Sequence, residues 1–243
     1  MLNSLIKYSF FNFSNSHIDP SQIKFFADQL ILVNKKDQQI GSISKLKAHL
    51  KSENNQNPHR AFSVFLFNKK NELLLQQRSS KKVTFPLLWS NTCCSHPLNI
   101  PGERETEHNK GILNAIVKRV KFEMGISTSL SKYIFFDKIL YKADSDSKYE
   151  EYELDYLFLI KDKSRKMKEK SVRKLMNKDE VENVKFCSYD YLKHDLINRP
   201  NIYTPWFKFI MEKKGKKIFE VSENNGINYK YDGKISNSYS SLL

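Results

Sequence analysis

Residues 90–97 read Ser-Asn-Thr-Cys-Cys-Ser-His-Pro, and they follow the apolar run Phe-Pro-Leu-Leu-Trp at residues 85–89. This order places the run where a buried segment reaches a surface. It also places the thiol of Cys94 two residues from the imidazole of His96. Alternate side chains leave the same face of an extended strand, so both groups would point the same way. A thiol beside a potential metal ligand indicates a functional site, although cysteine is as often a small buried hydrophobe.

The segment that precedes this run predicts a pair of β-strands. Residues 61–67 (Ala-Phe-Ser-Val-Phe-Leu-Phe) are aromatic and β-branched, which favours a buried strand. Residues 68–71 are polar and predict a turn, and residues 72–78 return as a second strand. Further on, residues 149–160 begin with alternating acids, so Glu151 and Glu153 would share one face of a strand.

The rest of the chain alternates between predicted strands and helices. A hairpin is predicted around residues 30–41, and a helix is predicted over residues 108–124 from its apolar stripe. Other predicted elements are strands at residues 133–142 and 184–187, a helix at residues 189–196 after Ser188, and a last helix that starts at Thr204 or Pro205. More residues fall in antiparallel strands than in helices, which indicates an α/β fold.

The chain is strongly basic: its 243 residues include 41 Lys and Arg against 27 Asp and Glu, a net charge of +14. Such a balance suggests an anionic partner, which would be nucleic acid, a membrane surface or a phosphorylated small molecule. Much of the excess lies in residues 161–176. This run lacks the interleaved aromatic residues that stack on bases, and we interpret it as a solvated loop rather than a binding patch.

Three cysteines without a secretory signal point to a reducing compartment rather than to a disulfide framework. No apolar run approaches the about 20 residues that span a bilayer. Residues 1–16 make a poor transit peptide, and residues 1–20 are interpreted as an extension. Residues 215–243 are polar and aperiodic and predict a disordered tail. We expect a cytoplasmic protein, with the peroxisome or an organelle as the alternative.

Several residues have side chains that suit a divalent metal ion. They are His49, His59, His96, Glu151 and Glu153, and three imidazoles with two carboxylates suit Mn, Mg, Fe or Zn. A single histidine is more often not a ligand, and acids two apart are more often a solvated strand face. The spacings match no short metal motif, so the residues alone leave both interpretations open.

From about residue 29 to residue 210, the chain resembles the type I isopentenyl diphosphate isomerases, a family of the Nudix fold superfamily. The motifs that carry the resemblance occur in the family's order and approximate spacing. They are His-Arg-Ala-Phe-Ser-Val-Phe-Leu-Phe at 59–67, Leu-Leu-Leu-Gln-Gln-Arg-Ser at 73–79, Asn-Thr-Cys-Cys-Ser-His-Pro-Leu at 91–98, Tyr-Lys-Ala at 141–143, Tyr-Glu-Leu-Asp-Tyr at 152–156 and Thr-Pro-Trp-Phe at 204–207.

The resemblance implies a single Nudix-type α/β domain with a mixed sheet sandwiched between helices. The domain would span residues 21–214 and include a basic loop at about 161–180. It implies isomerisation of isopentenyl diphosphate to dimethylallyl diphosphate, in isoprenoid biosynthesis, by metal-dependent protonation and deprotonation. We expect a small-molecule diphosphate substrate, no nucleic-acid partner, no membrane span and a monomer.

The resemblance also implies roles for individual residues. Cys94 and Glu153 would be catalytic, and Tyr141 would assist Glu153. The metal site would comprise His49, His59, His96, Glu151 and Glu153, holding Mg, Mn or Zn. Glu123 would help hold a second ion, Mg, against the substrate diphosphate. The substrate would be bound by Lys45, Arg78, Lys82, Ser95 and Trp206, of which Trp206 closes the hydrocarbon pocket.

Two rival functions are weighed against this one: a Nudix-type diphosphate hydrolase and a non-catalytic basic module that binds nucleic acid. The hydrolase motif, aligned on Gly125, has several glutamates that gather metals and activate water. This chain keeps only Glu123 of them and has Arg104 and Lys110 at earlier motif positions. That loss disfavours hydrolysis. A smaller departure from the isomerases is Leu87, where many members have glycine.

Overall fold

Strand β3 (His59–Asn68) is the centre of the structure, and all ten of its residues are buried. The structure is a computed structural model that describes residues 18–237. Aromatic and aliphatic side chains on both faces of β3 explain why it is covered on both sides. The strand predicted from residues 61–67 is therefore confirmed, and it extends at both ends.

The part of the chain that the structure describes contains ten strands and six α-helices. The other strands are β1 (Gln29–Val33), β2 (Gln39–Ser44), β4 (Leu73–Arg78), β5 (Trp89–Ser90), β6 (Cys93–Ser95), β7 (Ile134–Asp144), β8 (Glu150–Asp162), β9 (Val181–Cys187) and β10 (Ile235–Asn237). The helices are α1 (Pro20–Ile23), α2 (Lys45–His49), α3 (Lys110–Met124), α4 (Glu169–Leu175), α5 (Tyr189–Asn198) and α6 (Pro205–Glu223).

The strands form one mixed sheet. On one edge β3 pairs in parallel with β8, which pairs antiparallel with β7. The other edge of β3 pairs with β1, β6 and β4 in turn, all antiparallel. Strand β4 also pairs with β5 and β9, and β1 pairs with β2, all antiparallel. This sharing of one edge brings the short strand β6 directly beside the middle of β3.

Helices cover both faces of the sheet. On one face Ile112, Ile116 and Val120 of α3 pack into a core cluster together with side chains of β3 and β8. On the other face Phe207 and Ile210 of α6 pack against a second cluster. The α/β fold with a mixed sheet between helices is thus confirmed. None of the helices within residues 18–237 is long and apolar enough to cross a lipid bilayer.

The structure corrects the predicted disordered tail. Helix α6 continues to Glu223, with Ile218, Phe219 and Val221 buried. The chain then turns back, and β10 pairs in parallel with β7. The tail prediction is therefore wrong for residues 215–237, because the apolar stripe of α6 was hidden among charged residues. Residues 238–243 lie outside the described range.

The structure also changes the bounds of two other predicted segments, the basic loop and the N-terminal extension. The predicted basic loop at about 161–180 contains helix α4, whose Val172 is buried in the core, and β8 reaches Asp162. Of the predicted N-terminal extension, residues 1–17 lie outside the described range. Asp19 accepts a hydrogen bond from the backbone of Ser21 and caps α1, so an ordered element begins within the last residues of that extension.

Replacing Tyr229 with alanine is expected to lower the free energy of unfolding by about 2 kcal/mol. The Tyr229 ring stacks on Phe136 with centroids 5.0 Å apart, and its hydroxyl donates to the Phe136 carbonyl oxygen at 2.6 Å. Urea titration measures the change. Ile227→Ala is the control, because Ile227 is 70% exposed and its loss should change little. Equal stability of Tyr229→Ala and the wild type would contradict a packed C-terminal segment.

Candidate active site

Strand register brings three of the predicted site residues abreast. Glu153 of β8 lies opposite Tyr141 of β7 on one side and His59 of β3 on the other. Directly opposed residues project from the same face of a sheet. The Tyr141 hydroxyl donates a hydrogen bond to Glu153 Oε2. The alternation seen in the sequence therefore produces a tyrosine–carboxylate pair beside an imidazole.

Five residues form a group that could hold a metal ion. Each offers one ligand atom, and these atoms lie within 4.8 Å of one another; the residues are His49, His59, His96, Glu151 and Glu153. His59 Nε2 is buried and makes no hydrogen bond to any described residue, although Glu153 Oε1 lies 3.4 Å away. A buried nitrogen without a donor or acceptor is costly unless another ligand satisfies it. The donor set therefore fits a divalent ion.

Helix α2 positions His49. Ser44 caps α2 by accepting a hydrogen bond from the Lys47 backbone, and the helix ends at His49. His49 Nδ1 contacts the Lys45 carbonyl oxygen at 2.6 Å, which leaves Nε2 facing Glu151 Oε2 at 2.9 Å. A backbone contact of this kind orients an imidazole as a ligand.

The five grouped residues shift one another's pKa values, and the two histidines shift in opposite directions. Burial would lower the pKa of His49, but the Glu151 carboxylate outweighs it and raises that pKa. Burial together with neighbouring His59 holds the pKa of His96 well below its usual range. For Glu153, burial would raise the pKa, but the neighbouring His59 imidazole and the hydrogen bond from Tyr141 lower it. A neutral His96 beside ionised carboxylates is the protonation state that metal ligation requires.

Cys94 lies on β6, opposite Ser63 of β3. Its thiol donates to Asn91 Oδ1 at 2.9 Å and accepts from Trp206 Nε1 at 3.2 Å. Burial, with the nearby Asp155 charge, raises the pKa of Cys94 to about 12. The free protein therefore holds Cys94 as a neutral thiol that can carry a proton.

A cavity of about 60 Å³ connects these groups. All the predicted site residues except His59 and Glu123 line it. Trp206 of α6 forms an apolar wall, with Phe85 packed edge-on at 5.3 Å between ring centroids. Cys94 and Glu153 thus face one cavity from β6 and from β8. The apolar wall and the polar groups together give the cavity a hydrocarbon side and an ionic side.

The ionic side carries cations. Lys45 is half-buried, and the desolvation of its ammonium group together with the charges of Lys82 and Arg119 lowers its pKa to about 8. Lys82 forms an ion pair with the buried carboxylate of Glu180. Arg119 lies 3.4 Å from Glu180 and also lines the cavity. Because the ion pairs of these three cations within the described residues involve only two carboxylates, Glu180 and Glu123, this side of the cavity is suited to an anionic ligand.

Arg78 is oriented by the backbone. Its Nη2 donates to the Thr84 carbonyl oxygen at 2.8 Å and its Nε to the Phe85 carbonyl oxygen at 3.1 Å. The guanidinium also lies 5.5 Å from the Trp206 ring centroid. These contacts fix the plane of the guanidinium where it lines the cavity.

Glu123 lies apart from the five-residue metal group. Its carboxylate pairs with Arg119 at 2.6 Å and accepts from Gln76 at 3.3 Å. Cys93 is fully buried, and its thiol lies 3.5 Å from the same carboxylate and so faces away from Cys94. The structure therefore places Glu123 at the cationic side rather than with the histidines.

Three contributors were missed by the sequence interpretation. Arg119 precedes Glu123 by one helical turn, a spacing that could have indicated it. Asn91 was noted only as part of a motif. Gln22 of α1 lines the cavity and donates to Glu180 Oε1 at 3.2 Å, a contact across 158 residues that no local pattern indicates.

Comparison with known proteins identifies relatives of this arrangement. The NUDIX domain family matches residues 57–207, more than half of the chain. An isopentenyl-diphosphate Delta-isomerase I from Camptotheca acuminata is 42% identical over 199 residues, which cover 77% of this chain and 80% of the relative. The chain belongs to the isopentenyl-diphosphate Delta-isomerase family.

Other relatives place the chain in the same family. An isopentenyl-diphosphate delta-isomerase from Gibberella zeae is 39% identical over 213 residues, covering 85% of this chain and 80% of the relative. Isopentenyl-diphosphate Delta-isomerase I from Clarkia breweri is 44% identical, covering 77% of this chain. The chain spans less than two thirds of some of these family members: 66% of the Clarkia protein and 61% of a second Camptotheca protein.

A solved structure has the same fold as this chain. The crystal structure of a Deinococcus radiodurans protein matches 76% of this chain and 98% of its own, with a TM-score of 0.51 and 12% identity. At that identity the match shows the fold alone.

Proposed function

We propose that the chain converts isopentenyl diphosphate to dimethylallyl diphosphate by moving a carbon–carbon double bond. One observation carries this proposal: Cys94 and the Tyr141–Glu153 pair face the same cavity, between an apolar wall and a cationic side. The relatives reported above have this activity in their names. A compound with a short hydrocarbon and a diphosphate fits both sides of this cavity.

The proposed reaction needs two proton transfers. One terminal carbon of the alkene gains a proton, and a second carbon loses one, so the double bond shifts by one position and the atoms balance. An acid and a base must therefore be held at two positions around a small substrate. Cys94 holds a proton as a thiol, and the Tyr141–Glu153 pair holds one in its hydrogen bond. The two groups would exchange donor and acceptor roles in the reverse reaction.

The apolar wall would protect the charged intermediate. Protonation of the alkene leaves a tertiary carbocation, which water would trap. The Trp206 ring can stabilise a cation by about 1–2 kcal/mol when both are desolvated. Because Trp206 is only 3% exposed, its ring also excludes water from the hydrocarbon side.

We propose that His49, His59, His96, Glu151 and Glu153 hold Mg, Mn or Zn, and that Glu123 helps hold Mg against the substrate diphosphate. A bound divalent ion would favour the ionised form of Glu153. The diphosphate oxygens would be bound by Lys45, Lys82, Arg78, Ser95 and Arg119. Glu123 would have to exchange its contact with Arg119 for the second ion.

The test is incubation of the purified protein with isopentenyl diphosphate and Mg, followed by detection of dimethylallyl diphosphate. Absence of conversion would overturn the proposal. Release of phosphate would instead indicate a hydrolase. Tight, salt-sensitive binding to oligonucleotides without conversion would indicate a nucleic-acid-binding module.

The acidity of Lys45 predicts the pH dependence of substrate capture. With a pKa of about 8, Lys45 is cationic below that pH and neutral above it. We therefore expect kcat/KM to fall as the pH rises through about 8, since kcat/KM reports groups of the free enzyme. Lys45→Arg stays charged and should lose this alkaline fall. An unchanged fall in Lys45→Arg would assign it to another group.

The cellular setting is proposed separately. We propose a monomer in the cytoplasm that does not bind nucleic acid. Relatives from Cannabis sativa and Arabidopsis thaliana carry the word chloroplastic in their names, which supports an organelle as the alternative. Gel filtration at micromolar concentration tests the first point, and fractionation of cells that express the full chain tests the second.

A further inference from the structure

Asn91 lies behind the proposed catalytic thiol and is fully buried. Its side-chain amide nitrogen donates to the Val64 carbonyl oxygen at 3.2 Å and to the Cys93 carbonyl oxygen at 3.1 Å. Rotating the amide by half a turn would place its oxygen against these two carbonyl oxygens. An amide oxygen cannot donate a hydrogen bond to a carbonyl oxygen, so that arrangement would be repulsive. The Asn91 amide is therefore held with its nitrogen toward Val64 and Cys93.

This orientation directs Asn91 Oδ1 toward the active site. The Cys94 thiol donates to it at 2.9 Å, and Trp206 Nε1 lies 3.2 Å from it. The same indole N–H lies 3.2 Å from Cys94 Sγ, so Trp206 shares its proton between the amide oxygen and the sulfur. The three side chains form a closed triangle of hydrogen bonds.

The triangle joins three separate parts of the chain. Asn91 follows β5, Cys94 lies on β6, and Trp206 lies in the first turn of α6. Ser90 and Thr204 reinforce the junction, because the Thr204 hydroxyl donates to Ser90 Oγ at 3.1 Å. A shift of Asn91 would therefore move the thiol and the aromatic wall together.

We propose that Asn91 is a positioning residue, which holds the Cys94 thiol and the Trp206 ring in fixed relation on the hydrocarbon side of the cavity. This inference rests on the proposed function. Proton transfer to or from carbon requires the thiol at a set distance and angle, and the carbocation requires the ring at the same place. A misplacement of about 1 Å can cost about 10²-fold in rate.

The test measures kcat and KM for Asn91→Ala, Trp206→Phe and the double variant. We expect Asn91→Ala to lower kcat by about 10²-fold and to change KM by less than about twofold, because the diphosphate contacts are untouched. Trp206→Phe keeps an aromatic ring at the same place but removes the N–H together with one of the two fused rings of the indole. If both act through one triangle, the double variant loses less than the product of the single losses.

Asn68→Ala is the matched control. Asn68 is also buried, and its amide donates to Glu72 Oε2 at 2.7 Å at the far end of β3. Its loss should lower the melting temperature without lowering kcat. If Asn91→Ala has the kcat of Asn68→Ala, or if the losses in the cycle multiply, Asn91 is only structural and the inference is overturned.

A second measurement does not depend on turnover. Alkylation of Cys94 by iodoacetamide, located by mass spectrometry, should be severalfold faster in Asn91→Ala and in Trp206→Phe, because the freed thiol can rotate into the cavity. Equal rates in the wild type and both variants would overturn the inference even if the wild type converts no isopentenyl diphosphate. Conversion by the wild type with equal alkylation rates would leave the proposed function standing alone. Trp206→Phe also decides the question if Asn91→Ala does not fold.

Discussion

Cys94→Ala is expected to lower kcat for the conversion of isopentenyl diphosphate by about 10²–10⁴-fold, the range that a positioned proton donor or acceptor contributes. The thiol is the ionisable group that β6 presents to the cavity, and the alanine methyl group can neither give nor take a proton. Substrate binding should change little, because the cations lie on the other side of the cavity. Product formation by NMR, at saturating substrate, measures the effect.

The metal content of Cys94→Ala should equal that of the wild type, because Cys94 is not one of the five grouped ligands. An unchanged metal content would show that the lower kcat of Cys94→Ala comes from the missing thiol and not from a missing metal ion. Cys187→Ala is the matched control, since Cys187 is also buried but lies on β9, away from the cavity. Full activity in Cys94→Ala, or an equal loss in Cys187→Ala, would refute the role proposed for Cys94.

The central sheet was predictable from the sequence because its strands carry their own signals. Residues 61–67 are rich in aromatic and β-branched side chains, and the acids of β8 alternate with apolar residues. The same alternation placed Glu151 and Glu153 on one face, as the structure has them. Histidines and carboxylates are few enough to be counted as possible ligands, and the family resemblance then selected among them.

What the sequence did not reveal depends on contacts between distant segments. Strand β10 pairs with β7 across about a hundred residues, and its three-residue length has no periodicity to detect. The end of α6 was hidden because charged residues surround its apolar stripe. Asn91 has no unusual local pattern either, and its contacts with Val64 and Trp206 exist only after the chain folds.

His96→Ala is expected to weaken the binding of the divalent ion by more than the about 10–100-fold that loss of an outer-shell partner typically costs. His96 Nε2 belongs to the five-residue group and lies 2.6 Å from Glu153 Oε1. Its loss removes one nitrogen donor and leaves Glu153 without its nearest imidazole. Two readouts are needed: metal content by mass spectrometry after dialysis, and kcat with the ion supplied in excess.

His108→Ala separates ligand loss from a general effect of removing a histidine, because its side chain is 91% exposed and lies outside the group. It should bind metal and turn over as the wild type does. In His96→Ala, excess ion should restore part of the activity, since four of the five donors remain. Retention of the full metal content after dialysis would show that His96 is not a ligand. Loss of the ion with unchanged kcat would show that the five-residue site does not take part in catalysis, and the role of Glu153 would then rest on its hydrogen bond with Tyr141 alone.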